Sequence, residues 1–142
     1  MARLMVAVLA AAQGVAGCGI DWNKTHATNP LWPGHARFHL VWQSLSTLFL
    51  AAVAVALVSR TGPALQLRFC VAAILTAIPL LAFTLALLTR GLYAGTLHDP
   101  NGIPPLRLRL FGQIRELDGN AIAVGAGWIV LLIAIALFRQ GS

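Results

Sequence analysis

Four long apolar runs constrain the fold of this chain more than any other feature of its sequence. They lie at residues 4–20, 38–59, 67–89 and 120–138, and none has a charged residue in its middle. A helix that crosses a bilayer needs about 17–25 mostly apolar residues, and each run has that length. The sequence therefore predicts an all-α protein, a single membrane domain over 1–142 in which four transmembrane helices form a bundle.

The composition agrees with a membrane protein and excludes two other classes. Only 10% of the 142 residues are charged, whereas soluble domains average about 25%. The formal net charge is +6, yet the cations are spread over helix ends and loops without a basic stripe among aromatics, so nucleic acid is excluded as a partner. We expect an integral, multi-pass protein whose surroundings are the lipid bilayer.

The first apolar run also has features of a secretory signal. It follows Arg3 and ends in Val-Ala-Gly-Cys at 15–18, which is similar to a lipoprotein cleavage site. Three further apolar runs follow, however, as in multi-pass proteins whose first helix is an uncleaved anchor. We therefore expect the first helix to be retained.

Small residues recur at intervals of four in the first and fourth runs. Such rows allow helix backbones to approach closely in lipid. They predict tight packing between the first and fourth helices and offer a surface for a homo-oligomer. The two rows are Ala10, Gly14, Cys18 and Gly119, Ala123, Gly127.

Alternation of the helices across the bilayer sorts the rest of the chain onto two faces. Face A comprises the N-terminus, the turn at 60–66 and the C-terminus, and face B comprises the loops 21–37 and 90–119. Six of the ten cations lie at face B, which favours a cytoplasmic face B. All four histidines and all four carboxylates also lie there. This asymmetry predicts a polar pocket open at face B, with both polar loops on one membrane face.

Two histidines begin the second run one helical turn apart. His35 and His39 share a helix face, because residues four apart are neighbours. Trp42, Gln43 and Ser46 continue that face into the apolar zone. A polar stripe in contact with lipid is unfavourable, so we expect these side chains to face the bundle.

The second loop contains an alternation of leucine and arginine at 106–110. Arginine side chains at a membrane surface extend their guanidinium groups toward the headgroups while their methylene groups cover apolar surface. The pattern predicts a short segment that lies at the membrane interface.

The first loop has a dense pattern of polar, aromatic and proline residues. It reads D-W-x-x-T-H-x-x-N-P-x-W-P-x-H-A-x-F-H from Asp21 to His39. The pattern resembles an uncharacterised family of small four-helix membrane proteins found in bacteria and fungi. That family has no established activity, so the resemblance implies that this loop is the signature of the protein without implying a reaction.

Histidines near carboxylates indicate acid–base chemistry at near-neutral pH, because a carboxylate orients the imidazole and stabilises its protonated form. The sequence predicts an enzyme of isomerase or cyclase type that acts on a lipophilic small molecule. The predicted catalytic residues are His26, His35, His39, Asp21, Glu116 and Asp118. The predicted substrate-binding residues are Trp22, Asn29, Trp32, Trp42, Gln43, His98 and Arg115.

Two other functions stay open. A His-x-x-x-His pair is competent to bind a metal, so a metal-dependent membrane enzyme would hold a single divalent cation with His35, His39 and His26. The third interpretation is a non-enzymatic membrane subunit or lipid-binding module whose tryptophans and arginines contact headgroups. The acid–base interpretation requires no cofactor.

Overall fold

The computed structural model describes residues 1–99, 102–110 and 112–141. Four of its helices are long and apolar enough to cross a membrane, which confirms the predicted all-α fold with four spans. A 3₁₀ turn at Arg90–Leu92 follows the third helix. The helices are α1 (Ala2–Asp21), α2 (Gly34–Ser59), α3 (Leu65–Thr89) and α4 (Gly119–Gln140), and the strands are β1 (Leu106–Leu110) and β2 (Gln113–Leu117).

The second loop of face B folds into an antiparallel hairpin, an element that the predicted all-α architecture lacked. Leu106 pairs with Leu117 and Arg107 pairs with Glu116, whose Oε1 accepts a hydrogen bond from the arginine Nε at 3.0 Å. Gly112 has a φ of 79° in the connecting turn, a left-handed conformation that glycine adopts without strain. Alternation with period two is the pattern of a strand, which explains why the Leu/Arg segment pairs in this way.

Helix α1 packs most closely against α2, and Gly14 lies at the tightest point. A Cβ atom at Gly14 would lie 2.8 Å from the Cβ of Ala51 and 3.2 Å from the Cα of Leu48. Helix α1 also packs against α4, as predicted, but less extensively than against α2. Of the row in α4 only Gly127 is buried, and a Cβ atom there would lie 2.9 Å from Leu80 of α3 and 3.5 Å from Leu9 of α1.

Side chains at face A join the ends of the helices. Arg3 donates from Nε to the carbonyl of Val58 at 2.7 Å and from Nη2 to that of Arg60 at 3.2 Å. These carbonyls belong to the end of α2, where helical partners are lacking. Phe69 of α3 stacks on Phe138 of α4 with ring centroids 3.7 Å apart. Arg68 of α3 likewise donates from Nη2 to the carbonyls of Thr61 and Gly62 in the turn, so arginine side chains and one aromatic pair stabilise face A.

The buried core is narrow and consists largely of small residues, among them Ala54, Ala72 and Ala134. Large apolar side chains point outward instead, and Phe49 is 65% exposed. In lipid this arrangement carries no penalty, because the surroundings are as apolar as the side chains. Close approach of the backbones, rather than burial of large side chains, therefore holds the bundle together.

We predict that Gly14→Ala destabilises the fold, because the added methyl group meets Ala51 and the backbone of α2. Overpacking of this kind lowers the free energy of unfolding by about 1–3 kcal/mol. The matched control is Gly17→Ala in the same helix, where nothing lies within 4 Å of the new Cβ. Thermal unfolding in detergent measures both variants. Equal melting temperatures for the two would contradict the packing of α1 on α2.

Candidate functional site

A cavity of about 1020 Å³ lies at face B, between the two polar loops and the start of α4. The second loop therefore folds over the first. The lining contains both apolar and polar side chains. The apolar residues include Ile20, Trp32, Leu97, Ile103, Leu106 and Ala123, and the polar residues include Asp21, His26, His98, Asp99, Arg107, Asp118 and Asn120.

Three of the four carboxylates of the chain line this cavity. They are Asp21, Asp99 and Asp118, and the fourth, Glu116, pairs with Arg107 on the hairpin. A chain with a net charge of +6 therefore directs its few acids into a single concave site. The cavity combines negative groups with imidazoles and apolar side chains.

Asp21 is the last residue of α1 and is held against α2. The hydroxyl of Ser44 donates to its Oδ2 at 3.3 Å, and Ser44 itself is only 3% exposed. The same hydroxyl lies 3.0 Å from the carbonyl oxygen of Leu40, so its single proton serves one of the two acceptors at a time. The side chain of His26 is close enough to interact electrostatically with the Asp21 carboxyl group. Asp21 and His26 lie too far apart to form an ion pair. Among the described residues, the ion pair is that of Arg107 and Glu116, at 3.0 Å.

The hydrogen bonds around His26 assign its tautomer. The backbone N–H of Thr25 donates to Oδ1 of Asn23 at 2.8 Å, which fixes the orientation of that amide. The Thr25 hydroxyl donates its single proton to the same oxygen at 2.6 Å. It must therefore accept from Nδ1–H of His26, 2.7 Å away. In the neutral ring the lone pair lies on Nε2, which has no hydrogen-bond partner among the described residues.

Trp32 connects the two loops. Its ring packs edge-on against His26 with centroids 5.5 Å apart, and its Nε1 donates to Oδ2 of Asp99 at 3.4 Å. Asp118 fixes another wall, since its side chain accepts from the backbone N–H of Ala121 at 3.0 Å as the N-cap of α4. Trp32, Asp99 and Asp118 therefore line the cavity and also stabilise the loops and the helix end that form it.

His35 and His39 lie on the outer face of α2, and the prediction that they face the bundle is wrong. Both are exposed, as are Trp42 and Gln43. Helix α2 buries the face that contains Ser44, which at 100° per residue is roughly 180° from His35. Near the end of a span a polar side chain reaches the headgroup level, so the penalty that drives polar groups inward at mid-membrane does not apply.

Asn29 is buried within the first loop and does not line the cavity. Its side chain donates to the carbonyl of Thr25 at 3.3 Å and accepts from the backbone N–H of Leu31 at 3.0 Å. It is 2% exposed. The residue thus fixes the loop conformation, and the predicted substrate contact is not supported by its position.

The cavity brings together five of the predicted site residues, namely Asp21, His26, Trp32, His98 and Asp118. Its lining does not include His35, His39, Trp22, Asn29, Trp42, Gln43, Arg115 or Glu116. Within the described ranges no three His, Cys, Asp or Glu side chains converge on a metal position. The conditional set of His26 with His35 and His39 is therefore not assembled.

Sequence reasoning missed three residues that organise the site: Ser44, Thr25 and Asp99. A signal for Ser44 was present, because it lies seven residues before Ala51 and shares its helix face. Small residues at that spacing mark the closely packed face of a membrane helix. No comparable signal existed for Thr25, whose role depends on the fold of the loop.

Comparison of the chain with protein-family models, curated proteins and solved structures finds no match. The resemblance of the first loop to an uncharacterised family stays a prediction. The geometry of the cavity is therefore the basis for assigning a function.

We predict that Asn29→Ala loosens the first loop, because the variant leaves buried backbone groups without their partners at a cost of about 1–3 kcal/mol. The chain has a single lysine, the exposed Lys24 in this loop, so endoproteinase Lys-C has one cleavage site. Cleavage of Asn29→Ala should be faster than that of wild type, as followed by mass spectrometry of the protein in detergent. The control is the exposed Thr28→Ala, and equal rates for the two variants would refute the structural role of Asn29.

Proposed function

We propose that this protein is a membrane-embedded enzyme that moves a proton on a lipophilic small molecule, as isomerases and cyclases do, in the cavity at face B. The observation that supports this most directly is the presence of His26 and Asp21 in one cavity with apolar side chains. The Nε2 atom of His26 is the base, because Nδ1 carries the proton that is hydrogen-bonded to the Thr25 hydroxyl and the lone pair is on Nε2. This proposal retains the predicted class of chemistry and reduces the predicted histidine centre to His26.

Each polar residue has a distinct role in the proposed reaction. Nε2 of His26 takes a proton from the substrate, and the negative charge of Asp21 stabilises the imidazolium that forms. The imidazolium then returns the proton at another atom of the same substrate, so the reaction is neutral overall. Ser44 positions Asp21. Asp118 is bound as the N-cap of α4, so its role is to shape the wall rather than to transfer a proton.

The lining supports an amphipathic substrate. Trp32, Leu97 and Ile103 offer apolar surface, and titratable groups belong to the same lining. A volume of about 1020 Å³ is at the upper end of the range for ligand sites, roughly 300–1,000 Å³. A substrate of lipid or terpenoid size would place its functional group near His26 and its hydrocarbon part against the apolar side chains.

One observation favours the alternative, a non-enzymatic lipid-binding module. The hairpin presents three arginines against one glutamate, and three of its described apolar side chains are exposed, Leu106 at 52%, Leu108 at 37% and Ile114 at 70%. Such a surface suits contact with anionic headgroups and the upper acyl chains. Under this alternative the cavity would hold a lipid without transforming it.

Deuterium exchange tests the proposed reaction without knowledge of the substrate. The full chain, reconstituted in liposomes made from a bacterial lipid extract, is incubated in D₂O, and the lipids are analysed by mass spectrometry. We expect wild type to label one lipophilic compound at a carbon position, because the Nε2 proton of the imidazolium exchanges with solvent deuterium before it is returned to the substrate. The variants His26→Gln and Asp21→Asn should lower the labelling rate, the former by about 10²–10⁴-fold.

The matched control is His39→Gln, which changes an exposed histidine outside the cavity. It should label the same compound at the wild-type rate. Labelling that is equal in wild type and His26→Gln, or absent from both in extracts of several organisms, would contradict the proposal. Loss of labelling in His39→Gln would place the base on α2 instead.

A further inference from the structure

The exposed face of α2 contains a pair of imidazoles whose geometry is independent of the cavity. The Nε2 atoms of His35 and His39 lie 3.0 Å apart, and the ring planes are inclined by 82° with centroids 4.4 Å apart. Both side chains are exposed. Among the described residues, each has the other as its side-chain hydrogen-bond partner.

The Nε2 atoms of the two rings are therefore adjacent, and rotation of the two exposed rings would direct both lone pairs at one cation. In the metal-free state one Nε2–H donates to the other Nε2. If the donating ring moves its proton to Nδ1, both Nε2 lone pairs become free to bind one cation, and no proton is released. Neutral imidazole is the form that binds a metal.

The separation of the two nitrogens is within the range that two ligands of one cation span. With metal–nitrogen bonds of about 2.0–2.1 Å, the observed 3.0 Å corresponds to an N–metal–N angle of about 95°. Tetrahedral coordination would require a separation of about 3.3 Å at the same bond lengths. An angle close to 90° is that of adjacent positions in a square-planar or tetragonal site, the geometry preferred by Cu²⁺ and Ni²⁺.

We infer that His35 and His39 form a two-histidine binding site for a divalent transition metal, with Cu²⁺ as the tightest-bound ion in the series of divalent ions. The site lies on the outer surface of α2 and includes neither His26 nor the cavity. Water at the headgroup level completes the coordination, since both rings are exposed in the first turns of α2. This assignment does not depend on the proposed proton-transfer activity.

Trp42 offers a spectroscopic reporter for the site. Its ring lies one turn further along the same face, with its centroid 5.7 Å from that of His39 and the planes inclined by 32°. Bound Cu²⁺ quenches indole fluorescence at this range. The other three tryptophans belong to the loop and to α4, so quenching by the first equivalent of metal should come from Trp42.

The test is a titration of the full chain in detergent with CuCl₂, after purification without a polyhistidine tag. Electron paramagnetic resonance should report one Cu²⁺ per chain in a tetragonal environment with two nitrogen ligands. One equivalent should also quench the share of tryptophan fluorescence that Trp42→Phe removes. His35→Ala and His39→Ala should each abolish the two-nitrogen signal and the quenching.

The matched control is His98→Ala, which removes an exposed histidine from the second loop and should leave both readouts unchanged. Thermal unfolding of each variant establishes that the fold is retained. The inference is overturned if wild type binds no stoichiometric Cu²⁺. It is likewise overturned if folded His35→Ala or His39→Ala retains the two-nitrogen signal, or if His98→Ala loses it.

Discussion

The close packing of α1 on α2 is the constraint on which the rest of the structure depends. At mid-span Gly14 allows the two backbones to approach at Ala51, and at face A Arg3 binds the carbonyls that end α2. At face B the same pairing places Asp21 beside the hydroxyl of Ser44. The carboxylate of the candidate site is thus positioned by a helix contact formed of small residues along its whole length.

The sequence determines the number and extent of the helices because the bilayer sets a minimum length for an apolar span. It does not determine which face of each helix is inside, because outward-facing residues in lipid are as apolar as buried ones. The polar row of His35 and His39 was expected to face inward on a rule that holds at mid-membrane. The row lies in the first turns of α2, where the rule does not hold, so it predicts the wrong rotation of α2 about its own axis. Ser44, a single small polar residue on the opposite face, marks the buried face of α2 correctly.

The hairpin was missed for a different reason. Its alternation of leucine and arginine is a strand pattern, but the same residues also suit an interfacial segment, and composition alone does not separate the two. The partner strand, Gln113–Leu117, has no comparable alternation of apolar and charged residues. The pairing of Arg107 with Glu116 becomes visible only once the register is known.

The four histidines therefore serve in different environments that sequence spacing does not separate. His26 is hydrogen-bonded through Nδ1 to Thr25 and lines a cavity with three carboxylates, and its Nε2 has no hydrogen-bond partner among the described residues. His35 and His39 bond to each other on an exposed surface, an arrangement that suits a shared cation. His98 enters the cavity on the loop that covers it. Because the first loop is fixed internally by Asn29 and across to Asp99 by Trp32, the environment of His26 is set by the fold of both loops together. The chemistry of face B is for that reason a property of tertiary structure, even though eight titratable residues on one face could be counted from the sequence.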